Sequence, residues 1–320
     1  MALLEVRKLE VQFAFREAAL TALRDVSFSL EAGERLGIVG ESGAGKSVLA
    51  FSILNLISKP GYVSRGEILF GGLDLVKLSR EEMRKIRGNR ISMIFQDPMM
   101  TLNPVLTIGT QMVEALKAHQ QITNAHAKEI AINNLAQVQI PAPEARFAQY
   151  PHELSGGMRQ RVVIAISLLT TPALIIADEP STALDVTIQA EIIELLLSLC
   201  ERNRVGLILI THDLGVVSAV TQRTLVMYAG RLVEDAPTRE IVQHALHPYT
   251  SGLINALPQY TSPGQPLNQI PGVMPSLHNV PAGCAFNPRC PYVMDICRTT
   301  VPEYTIKTNT RVACHMVAQQ

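Results

Sequence analysis

A chain of 320 residues, 47% of them hydrophobic, can bury a substantial core, as one large domain or as an ordinary core with an appendage. Lysine plus arginine equal aspartate plus glutamate at 28 each, which excludes net positive charge as the means of holding nucleic acid or anionic lipid. No apolar run approaches the roughly 20 residues that span a bilayer, so the chain is not expected to cross a membrane by itself. Met1 to Val6 lacks a basic leader, an apolar stretch and a small-residue cleavage site; the reading is of a cytoplasmic chain without a signal peptide. Disulfides are then disfavoured for its 5 cysteines, and the crowding of four of them into the last 37 residues points to metal or cluster ligation.

Alternating apolar residues predict strands around Leu4 to Phe13 and Leu23 to Leu30, and the apolar run Arg35 to Val39 predicts a third. A glycine-rich turn follows, with a helix expected over Ser47 to Leu56. Ile68 to Phe70 and Ile91 to Phe95 read as strands, while Ile108 to His119 and His126 to Gln137 carry helical spacing and suggest a helical insert. Two buried strands, Leu174 to Ala177 and Leu207 to Thr211, flank a helix over Thr187 to Glu201, the layout of a crossover in a parallel sheet. Thr224 to Tyr228 and Arg231 to Glu234 form a predicted hairpin about Ala229-Gly230. Composition then shifts to proline, asparagine and cysteine, which puts a boundary near Asp235 and divides the chain into an α/β domain, 1–235, and an extension, 236–320. No internal repeat is visible.

Gly40-Glu41-Ser42-Gly43-Ala44-Gly45-Lys46-Ser47 matches the G-x-x-x-x-G-K-S/T phosphate loop, between a predicted strand and a predicted helix as that motif requires. Its glycines let backbone N–H groups converge on phosphate oxygens, and the helix that opens through Val48 adds a favourable potential. Lys46 is expected to reach the β and γ phosphates and the Ser47 hydroxyl to ligate Mg²⁺. Leu174 to Glu179 adds an apolar strand ending in two carboxylates, with Asp178 suited to hold Mg²⁺ through its water shell and Glu179 to polarise the attacking water. Leu154-Ser155-Gly156-Gly157-Met158-Arg159-Gln160 is physically a second anion site, in which Ser155 caps a helix and the amides of Gly156 and Gly157 can cradle a phosphate.

That last segment resembles the signature loop of ABC proteins, and other stations agree with it. Gln96 resembles the family's Q-loop glutamine, which contacts Mg²⁺ and the lytic water; Ser181 to Asp185 resembles the D-loop, His212 the switch histidine and Phe13 the aromatic that stacks on adenine, with Phe15 in reserve. Gln96-Asp97-Pro98-Met99, Leu102-Asn103-Pro104, Met158 in the signature, His247-Pro248-Tyr249-Thr250 and the cysteine-bearing tail resemble the ATP-binding subunits of dipeptide and oligopeptide permeases, most closely the dipeptide type. The resemblance implies a P-loop NTPase core with an antiparallel β subdomain, a helical subdomain over about 97–160 and a small extension. It also implies ATP and Mg²⁺ as ligands, with Asp185 and the signature loop serving the ATP of a second, related ATPase subunit. Two membrane-embedded permease subunits, and indirectly an extracytoplasmic peptide-binding protein, complete the implied assembly at the cytoplasmic face of the membrane; no nucleic acid is involved. A soluble ABC ATPase of translation or DNA repair is the alternative, weakened by the single phosphate loop and the lack of a long insertion.

Cys284, Cys290, Cys297 and Cys314 have a C-x5-C-x6-C-x16-C spacing. Four thiolates suit zinc or an iron–sulfur cluster, with unligated buried cysteines as the third reading; tight C-x₂₋₄-C pairs are missing, and the 4Fe-4S clusters of some family members favour the cluster. Such a group could clamp the tail or control the motor by redox. Cys200, in a predicted helix, is assigned to the core, and His315 is expected to be a bystander.

Overall fold

The protein is described from a computed structural model over residues 2–97, 101–180, 185–257 and 268–319. It divides into two compact units: Met1–Glu31, Arg35–Lys77 and Leu209–Gln320 form the first, Ala32–Glu34 and Leu78–Ile208 the second.

In the first unit, strands β1 (Leu4–Ala14), β2 (Ala19–Leu30), β4 (Gly61–Phe70) and β5 (Leu73–Asp74) form an antiparallel sheet in the order β2-β1-β4-β5. Leu4, Val6, Leu9 and Val11 of β1 are fully buried. Their spacing breaks strict alternation between Val6 and Leu9, and the ladder absorbs the break by shifting register there. Opposite that shift, Gly66 has φ 100°, and a Cβ on it would lie 2.6 Å from the Lys8 carbonyl oxygen, so only glycine lets β4 pass the bulge.

The unit's other sheet is built on β3 (Arg35–Val39), whose continuous burial suits a parallel neighbour on β9 (Arg223–Tyr228). Ala229 and Gly230, at φ 46° and 79°, make the two-residue turn that pairs β9 with β10 (Arg231–Pro237). Two strands of the C-terminal tail, β12 (Thr310–Val312) and β11 (Thr305–Lys307), extend this sheet from β10. The expected boundary near Asp235 therefore falls inside β10, at a residue paired with Arg311.

In the second unit β6 (Ile91–Ile94) runs parallel to β7 (Leu174–Asp178). Between them come the helices Ile108–Lys117, Asn124–Gln137 and Gly156–Leu168, each started by a side-chain cap, from Thr107, Thr123 and Ser155. Ala127, Ala131 and Leu135 recur every four residues and are buried, as an amphipathic helix requires. The helix Val186–Asn203 leads to β8 (Gly206–Thr211), a strand that straddles the division between the units. The class is α/β, with an antiparallel sheet, a helical region and a cysteine-bearing tail, as expected.

Candidate nucleotide-binding site

The phosphate loop joins β3 to the helix Lys46–Ile53, which starts at Gly45 in a left-handed conformation, φ 101°. A Cβ on Gly40 would lie 2.4 Å from the Met227 carbonyl oxygen, so the loop can run this close to β9 only with glycine at that position. Lys46 is 7% exposed, and its ammonium donates to the carbonyl oxygens of Gly40, 2.7 Å, and Glu41, 3.0 Å. The lysine thus arches over its own loop. Ser42 and Gly43 are exposed, Ser47 and Val48 half-buried, and Ala44 buried with its carbonyl accepting from the Gly230 N–H at 2.9 Å. Ring centroids of Phe13 and Phe15 stand 6.4 Å apart; Phe13 is half-buried against Gly61, while Phe15 is exposed and lines an open cavity with Leu277 and His278. His212 is exposed at the end of β8, beside Asp213, whose carboxylate caps the helix Leu214–Val220.

The second unit holds the carboxylates. Asp178 ends β7 at 5% exposure, and Glu179, at φ 47°, accepts a hydrogen bond from Gln96 Nε2 at 3.1 Å. Two residues 83 apart in sequence, Glu179 expected to polarise the attacking water from its place at the strand end and Gln96 assigned to that water by resemblance, are in direct contact. Ser155 accepts from the Met158 N–H at 3.3 Å, leaving Gly156 and Gly157 in the first turn of their helix. A Cβ on Gly157 would lie 3.1 Å from Ile188, so the turn packs on the helix that Asp185 precedes. Ser181 to Leu184 of the expected D-loop, and Pro98 and Met99, lie outside the described residues.

Sequence reasoning missed the support of the loop from the far end of the chain. The Glu41 N–H donates to Tyr249 Oη at 2.8 Å, and its carboxylate pairs with Arg289 at 3.0 Å. Partners 208 and 248 residues apart leave no local pattern to read.

Cys284, Cys290, Cys297 and Cys314 line one small cavity together with His247, Phe286 and His315. Burial, reinforced by the neighbouring thiols, pushes the Cys284 thiol up to about 11 and those of Cys290 and Cys314 in the same direction. Yet among the described residues no group of three or more His, Cys, Asp or Glu is placed to hold a metal ion. The expected iron–sulfur site is therefore a shared cavity without a formed ligand shell. His315 Nε2 is engaged with the Thr300 carbonyl at 2.9 Å, and Cys200 is buried in the helix Val186–Asn203.

Comparison with known proteins bears on the whole chain. A family model described as "ABC transporter" matches residues 23–182, and one described as "Oligopeptide/dipeptide transporter, C-terminal region" matches residues 233–297. The dipeptide transport ATP-binding protein DppD of Escherichia coli is 47% identical over 316 residues, 98% of this chain and 97% of that protein. The oligopeptide transport ATP-binding protein OppD of Salmonella typhimurium is 47% identical over 300 residues, 94% of this chain and 89% of that one. Among solved structures, the ATP-binding cassette MJ0796, a dimer bound to ADP and Pi, superposes with a TM-score of 0.66 at 28% identity, covering 74% of this chain and 99% of its own. With the phosphate loop, the Gln96–Glu179 pair and a peptide-transporter extension in one chain, this protein belongs to the ABC transporter ATP-binding subunits of the dipeptide/oligopeptide permease family.

Proposed function

We propose that the chain is the ATP-hydrolysing subunit of an ABC importer for dipeptides or oligopeptides. The observation that carries the reading is a built phosphate loop with Lys46 folded over it, on a chain whose extension matches the peptide-transporter region. Lys46 and the loop amides hold the phosphates, Ser47 and Asp178 hold Mg²⁺, and Phe13 stacks on adenine, with Phe15 the reserve candidate. Glu179, oriented by Gln96, polarises the attacking water, and His212 senses the γ phosphate. Ser155, Gly156, Gly157 and Asp185 serve the nucleotide of a related ATPase subunit. No helix among the described residues is long and apolar enough to cross a membrane. The family resemblance adds attachment to two permease subunits at the cytoplasmic face. A soluble ATPase of translation or DNA repair is disfavoured by the match of residues 233–297.

The test is co-expression with the two permease subunits and the related ATPase subunit. Co-purification and ATPase activity stimulated by peptide-loaded binding protein are expected; a chain recovered free of membrane subunits would sink the reading.

We also infer that Cys284, Cys290, Cys297 and Cys314 hold an iron–sulfur cluster, which supplies a structural clamp or a one-electron reservoir. Four sulfurs on a single zinc at about 2.3 Å are held in mutual contact, whereas cluster ligands stand farther apart around a larger body. The support from the structure is that the four thiols line one cavity. Anaerobically purified protein is expected to contain iron and sulfide; their absence, with no absorbance near ~400 nm, removes the cluster.

A further inference from the structure

We infer that the C-terminal extension is a working part of the nucleotide site, with Arg289 and Tyr249 as positioning residues for the phosphate loop. The inference rests on the reading that Gly40 to Ser47 binds ATP phosphates, and it adds residues that no phosphate-loop pattern contains.

Glu41 is the second residue of that loop. Its N–H is held by Tyr249 Oη at 2.8 Å and its carboxylate by Arg289 Nη1 at 3.0 Å. Its carbonyl accepts from Lys46 Nζ at 3.0 Å. A movement of Glu41 therefore moves the lysine that is to meet the phosphates.

The clamp is itself fixed. The Arg289 side chain is only 6% exposed, unlike the solvated partners of a surface ion pair. Its Nε donates to the Pro271 carbonyl at 2.8 Å, Nη2 to the Ile270 carbonyl at 3.3 Å, and Nη1 also approaches Tyr228 Oη at 3.4 Å. The guanidinium lies over the rings of Tyr228 and Phe286, 5.8 and 6.0 Å from their centroids. Tyr228, Tyr249 and Phe286 pack with centroids 4.7 to 5.4 Å apart, and all three are buried. A planar fork with its donors directed to several fixed acceptors is a rigid device in a way a lysine ammonium is not. The Gly230 N–H also holds Ala44, so the loop is anchored at two points along its length. Arg289 immediately precedes Cys290, and this strut therefore joins the four-thiol cavity to the phosphate loop.

A preorganised loop loses less freedom on binding, so loosening it weakens nucleotide affinity more than it slows the chemistry of bound ATP. The test measures MgATP and MgADP dissociation constants by calorimetry on the full chain, for wild type, Tyr249→Phe, Arg289→Gln, Arg289→Lys and Lys46→Ala, with KM and kcat determined in the assembled transporter. Tyr249→Phe keeps the ring and removes one hydrogen bond; it is expected to weaken MgATP binding about 5-fold. Arg289→Gln is expected to weaken it about 10-fold or more and to raise KM with kcat within about 2-fold, and Arg289→Lys to recover part of the loss. Should Arg289→Gln fail to fold, Tyr249→Phe decides. If Lys46→Ala abolishes binding while folded Tyr249→Phe and Arg289→Gln bind MgATP as wild type does, the inference is overturned. If Lys46→Ala also binds normally, it is the phosphate-loop reading that falls.

Discussion

Glu179 follows β7 with a left-handed backbone, φ 47°, which costs a non-glycine residue on the order of 1–2 kcal/mol and is retained where the surroundings enforce it. The conformation turns the carboxylate to Gln96, which donates to it at 3.1 Å. An anion acting as general base contributes about 10²- to 10⁴-fold, so Glu179→Gln is expected to lower turnover by that factor while ATP stays bound. Steady-state hydrolysis and retained ATP after gel filtration measure the two effects; an unchanged rate removes Glu179 from the base role. His247 is a residue whose protonation state the fold dictates. At 1% exposure it caps the helix Pro248–Asn255 through Nδ1, which accepts from the Tyr249 N–H at 3.1 Å. Burial pushes its pKa from 6.5 down to about 3, so the folded protein keeps it neutral while the unfolded chain takes up a proton. Its contribution is complete above pH 6.5 and is lost progressively as pH falls toward 3, on the order of a few kcal/mol. His247→Asn keeps a capping acceptor that does not titrate. Denaturant unfolding at stepped pH is expected to show a shallower acid decline for the variant between pH 6.5 and 4; parallel declines would discard the assignment.

At the scale of elements, the tail is bound to the core by a ladder as well as by side chains. β12 pairs with β10 through Glu234 and Asp235, and Asp235 receives Arg223 at 2.7 Å and Arg311 at 3.3 Å. Removing the residues after Thr300 takes away β11, β12 and Arg311 and leaves the N–H and C=O groups of β10 unpaired along an edge. The truncated chain is expected to melt several degrees lower and to aggregate on heating, which thermal denaturation with light scattering would register; an unaltered transition would mean that β12 adds nothing to the sheet. These pairings also mark what was legible in the sequence. Strands β3 and β7 and the helix Asn124–Gln137 match their expected spans closely, because continuous burial or regular spacing left a periodic signal. Only Ile68 to Phe70 of β4 was visible, since Gly61, Ser64, Arg65 and Gly66 are poor strand formers and the bulge at Gly66 breaks the alternation. Strands of three residues, such as β11 and β12, are too short to carry a period at all. The same logic divides the site: Gly40 to Ser47 is one contiguous pattern, whereas Arg289 meets Glu41 through tertiary packing alone.

At the scale of the whole molecule, the chain carries a phosphate loop in one compact unit and the Ser155-Gly156-Gly157 cradle in the other. In the proposed assembly the cradle closes on the nucleotide of a related subunit, so each chain brings two half-sites and neither ATP is fully enclosed until two subunits pair. Binding and hydrolysis then separate experimentally. Lys46, the loop amides and the clamp on Glu41 belong to a single chain, and ATP affinity is expected to change little with protein concentration. Hydrolysis needs the γ phosphate held from the far side, a contribution concentrated in the transition state, where charge builds on its oxygens. The isolated chain at low concentration is therefore expected to bind MgATP yet turn it over slowly, with specific activity rising steeply as the related ATPase subunit is titrated in. Activity per chain that stays constant on dilution, at saturating ATP, would show that one chain suffices and would return Ser155, Gly156 and Gly157 to a purely structural role as a helix start.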